Sequence, residues 1–328
     1  MKNSIALKKN VIGFIFLIIM KFIVPTNAFW STGHMIVARI AYEQIKSTSP
    51  ALLELIETEI KQLSQFAKED KYPFVEAANW PDDIKEVGVL QFNQWHEVRT
   101  PIIRDGYEGD TFEEPQNVTW AINQMVQTLN FTEKKGMDPG FGVSFAWRFL
   151  IHLVGDIHQP LHSGTLYSEK FPNSDDVGNK FICSTTINPN YPESEITNLH
   201  KLWDSCVDQY GSIWNPLTLS EWDQIGTFAH ELMTKHPRES VWKRLEITDP
   251  FDWADESHEF AKEYVYDGVT PGGKVSEAYI ERGRRLINEQ LAVAGYRLAD
   301  LSEKIATKRF YDIYKEEPEY PYFLVQLN

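Results

Sequence analysis

The chain has 328 residues, 42% of them hydrophobic and 13% aromatic, enough for one large domain or two ordinary ones and too apolar for a disordered chain. Its formal net charge of −15 at pH 7 repels phosphate backbones at long range and excludes the basic footprint of most nucleic-acid binders. A phosphate-bearing substrate would have to be drawn by bound cations rather than by a lysine and arginine surface.

Residues 1–28 read as a signal peptide. Lys2, Lys8 and Lys9 are followed by the apolar run Val11 to Met20, and Thr26-Asn27-Ala28 offers a small-residue cleavage site. Lys21 interrupts the apolar run, so a membrane span is the weaker reading. Removing this segment takes away four lysines and no acid, moving the formal charge from −15 to −19. The mature protein is expected to be secreted or delivered to a secretory-pathway organelle such as a lysosome or vacuole, without stable membrane association. The two cysteines, Cys183 and Cys206, read as one disulfide in an oxidising compartment, with a pair of free thiols as the alternative. Asn117-Val-Thr119 and Asn130-Phe-Thr132 are glycosylation sequons that suit a secreted surface.

After Phe29-Trp30-Ser31-Thr32-Gly33-His34, the apolar positions Ile36, Val37, Ile40, Ala41 and Ile45 recur with helical spacing, so His34 opens a core-facing helix. Pro50 to Phe66 predicts a second amphipathic helix with Pro50 in its first turn. Pro81 and the tryptophans of 76–87 and 94–100 predict helix ends or irregular turns, and Gly106 to Glu114 an exposed acidic loop. Helices are expected over Val118 to Leu129 and Ser144 to Ile157. The stretch 163–198 is rich in Gly, Pro, Asn and Asp, with Lys180 to Thr186 as its short strand. Helices resume over His200–Val207, Glu221–Lys235, Asp255–Tyr266 and about Glu277 to Ile305. The sum is an all-α fold: one mainly helical domain with a short irregular or β insert, over 29–305, and a C-terminal extension over 306–328.

The stretch His152-Leu-Val-Gly-Asp156-Ile-His-Gln-Pro-Leu-His162 carries the chemistry. His152 and Asp156 are four residues apart and leave one face of a helix a turn apart, as metal ligands can. His200 and Asp204 repeat the spacing, and imidazole with carboxylate suits zinc. One such pair alone is more often a hydrogen bond on a helix surface. Two pairs, with further His and Asp in aromatic-rich contexts, reverse that judgement.

Taken together, Trp30-x-x-Gly33-His34, Trp80-Pro-Asp82, Trp95-His96, His152 to His162, Asn198-Leu-His200 to Trp203-Asp204, Trp253-Ala-Asp-Glu-Ser257 and Ala294-Gly-Tyr-Arg-Leu298 resemble the class I nuclease family. These are the zinc-dependent single-strand-specific nucleases of fungi and plants, which share their fold with zinc phospholipase C. The resemblance implies a helical fold with three zinc ions per chain. One would be held by Asp82, His96, His152 and Asp156, and one by His34, the bridging Asp156 and the amine and carbonyl of residue one. The third would be held by His162, His200 and Asp204. Cleavage after Ala28 makes Phe29 residue one and His34 residue six, as in the family, and leaves a precursor unable to complete the second site. Lys85 matches the basic residue that contacts the phosphate and Asn179 an Asn near the scissile group, so Asp82, Asp156, Lys85 and Asn179 are the expected catalytic residues. His158, His230, His236 and His258 are assigned structural or surface roles.

The implied activity is hydrolysis of single-stranded DNA and RNA to 5′-phosphorylated products by a water activated between zinc ions, with 3′-nucleotides as further substrates. A monomer and an acidic pH optimum are expected. Val177-Gly178-Asn179 stands where the family has Gly-Gly-Asn, and Glu97 and Arg99 stand where it has the nucleobase-binding aromatic and Asp. Glu97 and Arg99 are therefore substrate-contact candidates that place base stacking in doubt. A zinc phospholipase C or other phosphoesterase is the rival within the fold, and a zinc-stabilised binding protein the rival outside it.

Overall fold

The computed structural model describes residues 29–69, 71–131, 140–185 and 196–314. The expected signal peptide, Thr132 of the second sequon and the tail from 315 lie outside the described residues. The described chain is mainly helical: α1 (Ser31–Thr48), α2 (Pro50–Ile60), α3 (Pro73–Glu76), α4 (Trp80–Glu86), α5 (Val118–Leu129), α6 (Gly140–Asp156), α7 (Leu199–Asp204), α8 (Leu219–Lys235), α9 (Arg238–Leu245), α10 (Pro250–Phe260) and α11 (Glu277–Tyr314).

The packing explains the order of layers. In α6, Ala146, Trp147, Phe149, Leu150, Leu153 and Val154 are all fully buried, and a helix apolar on every side belongs in the middle of a core. It accordingly packs against α1, α2, α4, α5 and α11. Each such large side chain taken from water contributes about 1.5–3 kcal/mol, so α6 is the axis on which the fold is fixed. α1 lies between α11 and α8 and buries Ile36, Val37, Ile40, Ala41 and Ile45, the five positions its periodicity marked.

Helix ends follow local chemistry. Pro50 occupies the first turn of α2, where its missing N–H costs nothing. The Asn117 side chain caps α5, Asn198 caps α7, and Thr218 and Glu221 form a reciprocal capping box on α8. α2 tightens into a 3₁₀ turn over Lys61–Phe66, the second half of the single helix expected there. α10 begins earlier than expected, capped by Asp249, and passes into a π turn over Ala261–Val265. α11 runs past Ile305 to Tyr314, so the expected boundary at 305 falls inside a helix.

The expected strand Lys180 to Thr186 is not one. Residues 181–185 do alternate buried and exposed, but Ile182 bridges Asn198 antiparallel and Ser184 bridges Lys274 in parallel. Each residue meets a different segment, and β propensity without a continuous neighbour makes no ladder. The two strands present are β1 (Pro101–Ile103) and β2 (Thr165–Tyr167), parallel, with Ile102 opposite Leu166.

The expected disulfide is likewise absent: Cys183 and Cys206 are both buried free thiols. They occupy separate environments, Cys206 beside Gly33 and Tyr210, and Cys183 beside Tyr279. Burial pushes the Cys183 thiol up to about 12 and raises that of Cys206 as well, so neither forms a thiolate readily.

Candidate metal centre

Three groups of side chains could each hold a metal ion: Asp82, His96 and His152; His34, His152 and Asp156; and His162, His200 and Asp204. Within each group the ligand atoms lie within 4.8 Å of one another. α6 ends in the middle of the cluster, which is why one helix serves two groups. Asp156 faces both, with Oδ2 2.9 Å from His96 Nδ1 and 3.2 Å from His152 Nε2, and Oδ1 3.3 Å from His34 Nε2. Asp82, from the first turn of α4, places Oδ1 3.7 Å from His152 Nε2 and 3.8 Å from His96 Nδ1. In the third group Asp204 lies 3.1 Å from His200 Nε2 and 3.8 Å from His162 Nε2. The Asn198 cap starts the single turn and a half that holds His200 and Asp204 on one face.

The rings are aimed by backbone carbonyls. Nδ1 of His152 donates to Ala78 O at 2.6 Å, Nδ1 of His162 to His96 O at 2.7 Å, and Nδ1 of His200 to Val177 O at 2.8 Å. A carbonyl only accepts, so each Nδ1 carries the proton and each Nε2 turns its lone pair inward. His96 is the exception and faces the cluster with Nδ1, 2.9 Å from His152 Nε2. Gln159 donates from Nε2 to Asp204 Oδ1 at 2.7 Å and takes the Leu161 N–H on its own oxygen. The Val177 carbonyl is presented by a left-handed run, with φ of 59° at Asp176, 50° at Val177 and 89° at Gly178. That is unusual for a β-branched residue.

Burial makes the cluster electrostatically demanding. His34, His96, His152, Asp156, His162, His200 and Asp204 are all at most 1% exposed. Burial lowers His34 and His96 well below the usual histidine value, with other cations adding to it. Burial also raises Asp156 to about 6 and Asp204 well above the carboxylate range. At His152 burial opposes the charged form, but Asp156 and then Asp82 outweigh it and raise the value. Asp156 Oδ1, His162 Nε2 and both ring nitrogens of His34 are buried without a hydrogen-bond partner. Buried lone pairs that converge in this way fit a cation, which satisfies them together.

The other residues named from sequence fall as follows. Lys85 is buried and donates to Asp82 Oδ1 at 2.7 Å, inside the first group. Phe29 is buried, with its ring edge-on to His34 at 6.1 Å. Asn179 Nδ2 donates to Asp176 O at 3.0 Å and holds the left-handed turn. Glu97 and Arg99 bind each other, Arg99 Nε to Glu97 Oε1 at 2.8 Å, and Arg99 Nη1 reaches Asp176 Oδ1 at 2.7 Å. Asn117 caps α5 through Oδ1 while Nδ2 donates to Glu114 O, and Asn130 is partly exposed at the other end of the helix. His158 donates to Val154 O and lies 2.8 Å from Arg297 Nη1, a packing role as expected.

Sequence reasoning did not find Gln159, Asp176 or the three carbonyls. Gln159 lies within the stretch His152 to His162, which was signal enough to name it. The carbonyls carry no side-chain signature at all.

A family model described as S1/P1 Nuclease matches residues 29–307. Endonuclease 4 of Arabidopsis thaliana is 27% identical over 293 residues, covering 84% of this chain and 89% of its own. Endonuclease 1 of the same plant is 25% identical over 292 residues, 84% of this chain and 87% of its own. Nuclease S1 of Aspergillus oryzae is 26% identical over 178 residues, 50% of this chain and 55% of its own.

Proposed function

Because the chain belongs to the S1/P1 nuclease family and is a hydrolytic nuclease, we propose that it is a zinc-dependent endonuclease cutting single-stranded DNA and RNA to 5′-phosphorylated products, and that it also removes phosphate from 3′-nucleotides. The observation that carries this reading is the set of three adjoining histidine and carboxylate groups, with Asp156 facing two of them. Their donor set suits zinc. Asp82, His96, His152 and Asp156 would hold one ion, and His162, His200 and Asp204 another. His34 and Asp156 would hold the third with the amine and carbonyl of Phe29, once residues 1–28 are removed in the secretory pathway. Bound there, zinc supplies Lewis acidity and lowers the pKa of water.

The chain's own groups do the rest. Asp156, with an oxygen on each of two groups, fixes their separation. Gln159 holds Asp204 in one orientation through its 2.7 Å bond. Lys85 sits on Asp82, where its ammonium meets a phosphoryl oxygen as charge grows on it. Asn179 braces the turn that presents Val177 O to His200. The Glu97 and Arg99 pair leaves no ring beside His96 for a base to lie on.

The test is release of 5′-phosphorylated products from single-stranded DNA and RNA by protein beginning at Phe29, with zinc and after chelation. Zinc-restored cleavage of single strands is expected. A zinc-loaded sample that hydrolyses phospholipid and spares nucleic acid would replace this reading with the phospholipase one.

A further inference from the structure

An acidic protein cannot hold a nucleic-acid strand through a lysine and arginine surface, so a strand seated at this centre needs contacts of another kind. Stacking of bases on aromatic rings is the sequence-tolerant alternative. The positions directly after His96 do not offer it. Glu97 is 6% exposed and held by Arg99, which Asp176 holds in turn.

The extended segment 211–217 does offer a ring. Ile213, Asn215 and Leu217 are buried, whereas Ser212, Trp214 and Pro216 face outward, the two-residue alternation of extended chain. Its inner side is pinned at five points. Thr32 Oγ1 donates to Gly211 O at 2.7 Å and accepts from Ile213 N at 2.9 Å. The Asn215 side chain accepts from Asn79 Nδ2 at 3.0 Å and donates to Asp83 Oδ2 at 3.3 Å, and Leu217 N donates to Glu76 Oε1 at 2.6 Å. Two of these anchors adjoin metal ligands: Thr32 is two residues before His34, and Asp83 follows Asp82.

Trp214, 51% exposed between neighbours at 4% and 7%, is therefore an indole displayed on a backbone fastened to two ligand-bearing segments. A large ring left half in water on a fixed strap gains little for the fold, and a flat apolar face beside a phosphodiester centre suits a nucleobase. Because the strap is already fixed, little conformational freedom is lost when a base settles on it. We propose that Trp214 is the platform on which a base of the bound single strand stacks, next to the phosphate held at the metal centre. The inference rests on the nuclease reading above.

The experiment is a cycle between ring and base, run on the zinc-loaded full-length mature enzyme. The substrates are short single-stranded oligonucleotides with one cleavable linkage, either complete or abasic at one of the positions flanking it. Trp214→Ala raises KM for the complete strand by about tenfold, within the range set by single base–aromatic stacks. Trp214→Phe keeps most of the affinity. One abasic position raises the wild-type KM by a similar factor and has no further effect in Trp214→Ala. Unchanged KM in Trp214→Ala, or a loss equally large on complete strands and on strands abasic at every flanking position, overturns the assignment alone. A wild-type enzyme that cuts no single strand overturns the nuclease reading, and this inference with it.

Discussion

Gly155 decides where the His34 ring can lie. A Cβ at this position of α6 would stand 2.8 Å from His34 Nδ1, closer than packed atoms tolerate, while in an exposed helix Ala would be favoured over Gly by about 1 kcal/mol. Gly155→Ala is therefore expected to lower the metal content of the His34 group and the activity together, without loss of helix in circular dichroism. Atomic absorption on the purified variant would settle it, and a full metal complement would count against the argument. Gln159→Leu tests a different residue. It leaves Asp204 Oδ1 without its 2.7 Å donor, so the His162 group should bind metal about tenfold or more weakly, as loss of an orienting partner does. Isothermal titration with zinc reads that directly. At this scale the ligands His152, Asp156, His200 and Asp204 were legible because helical spacing puts them on one face. The donors that aim them were not, because a backbone carbonyl such as that of Ala78 belongs to every residue alike.

Glu256 ties three helices together: it bonds Arg244 of α9 and Arg297 of α11 from its own place on α10. Burial pushes its carboxyl up, but the Arg244 and Arg297 guanidinium groups outweigh that and hold it at about 2 against an ordinary 4.5. A depressed carboxylate stabilises the folded state fully above 4.5, and that stabilisation is lost as pH falls through about 2. Glu256→Gln should thus cost about 3 kcal/mol at pH 7 and little at pH 2, which urea unfolding at the two pH values would show. α11 is fastened at its far end too, where Arg309 grips Glu59 of α2 at 2.7 Å and donates to Leu129 O of α5. Cutting the chain after Ile305 removes that clamp, so a truncated enzyme should melt several degrees lower while its metal content is unchanged. The helices themselves were readable from periodicity. Where α11 ends was not, since Arg309 is held by residues about 250 positions away.

Across the whole molecule, seven nearly fully buried histidines and carboxylates meet in one place, and the fold must carry the desolvation of that cluster. Metal binds the folded arrangement and not the unfolded chain, so chelation should lower the melting temperature and added zinc restore it, by an amount that rises with the logarithm of free zinc. Calorimetry over a zinc series checks this, and a melting temperature indifferent to chelator would contradict it.

The sequence by itself determined that the chain is helical, that α1 and α6 face the core, and that His and Asp at i and i+4 supply ligands, because these depend on periodicity along one segment. Tertiary structure alone decided three things. Asp156 faces two groups at once, Lys180 to Thr186 finds no partner strand, and Cys183 and Cys206 stay apart. It also set Trp214 beside the segments of His34 and Asp82. Each of these depends on distances between residues far apart in the chain, which no local pattern encodes.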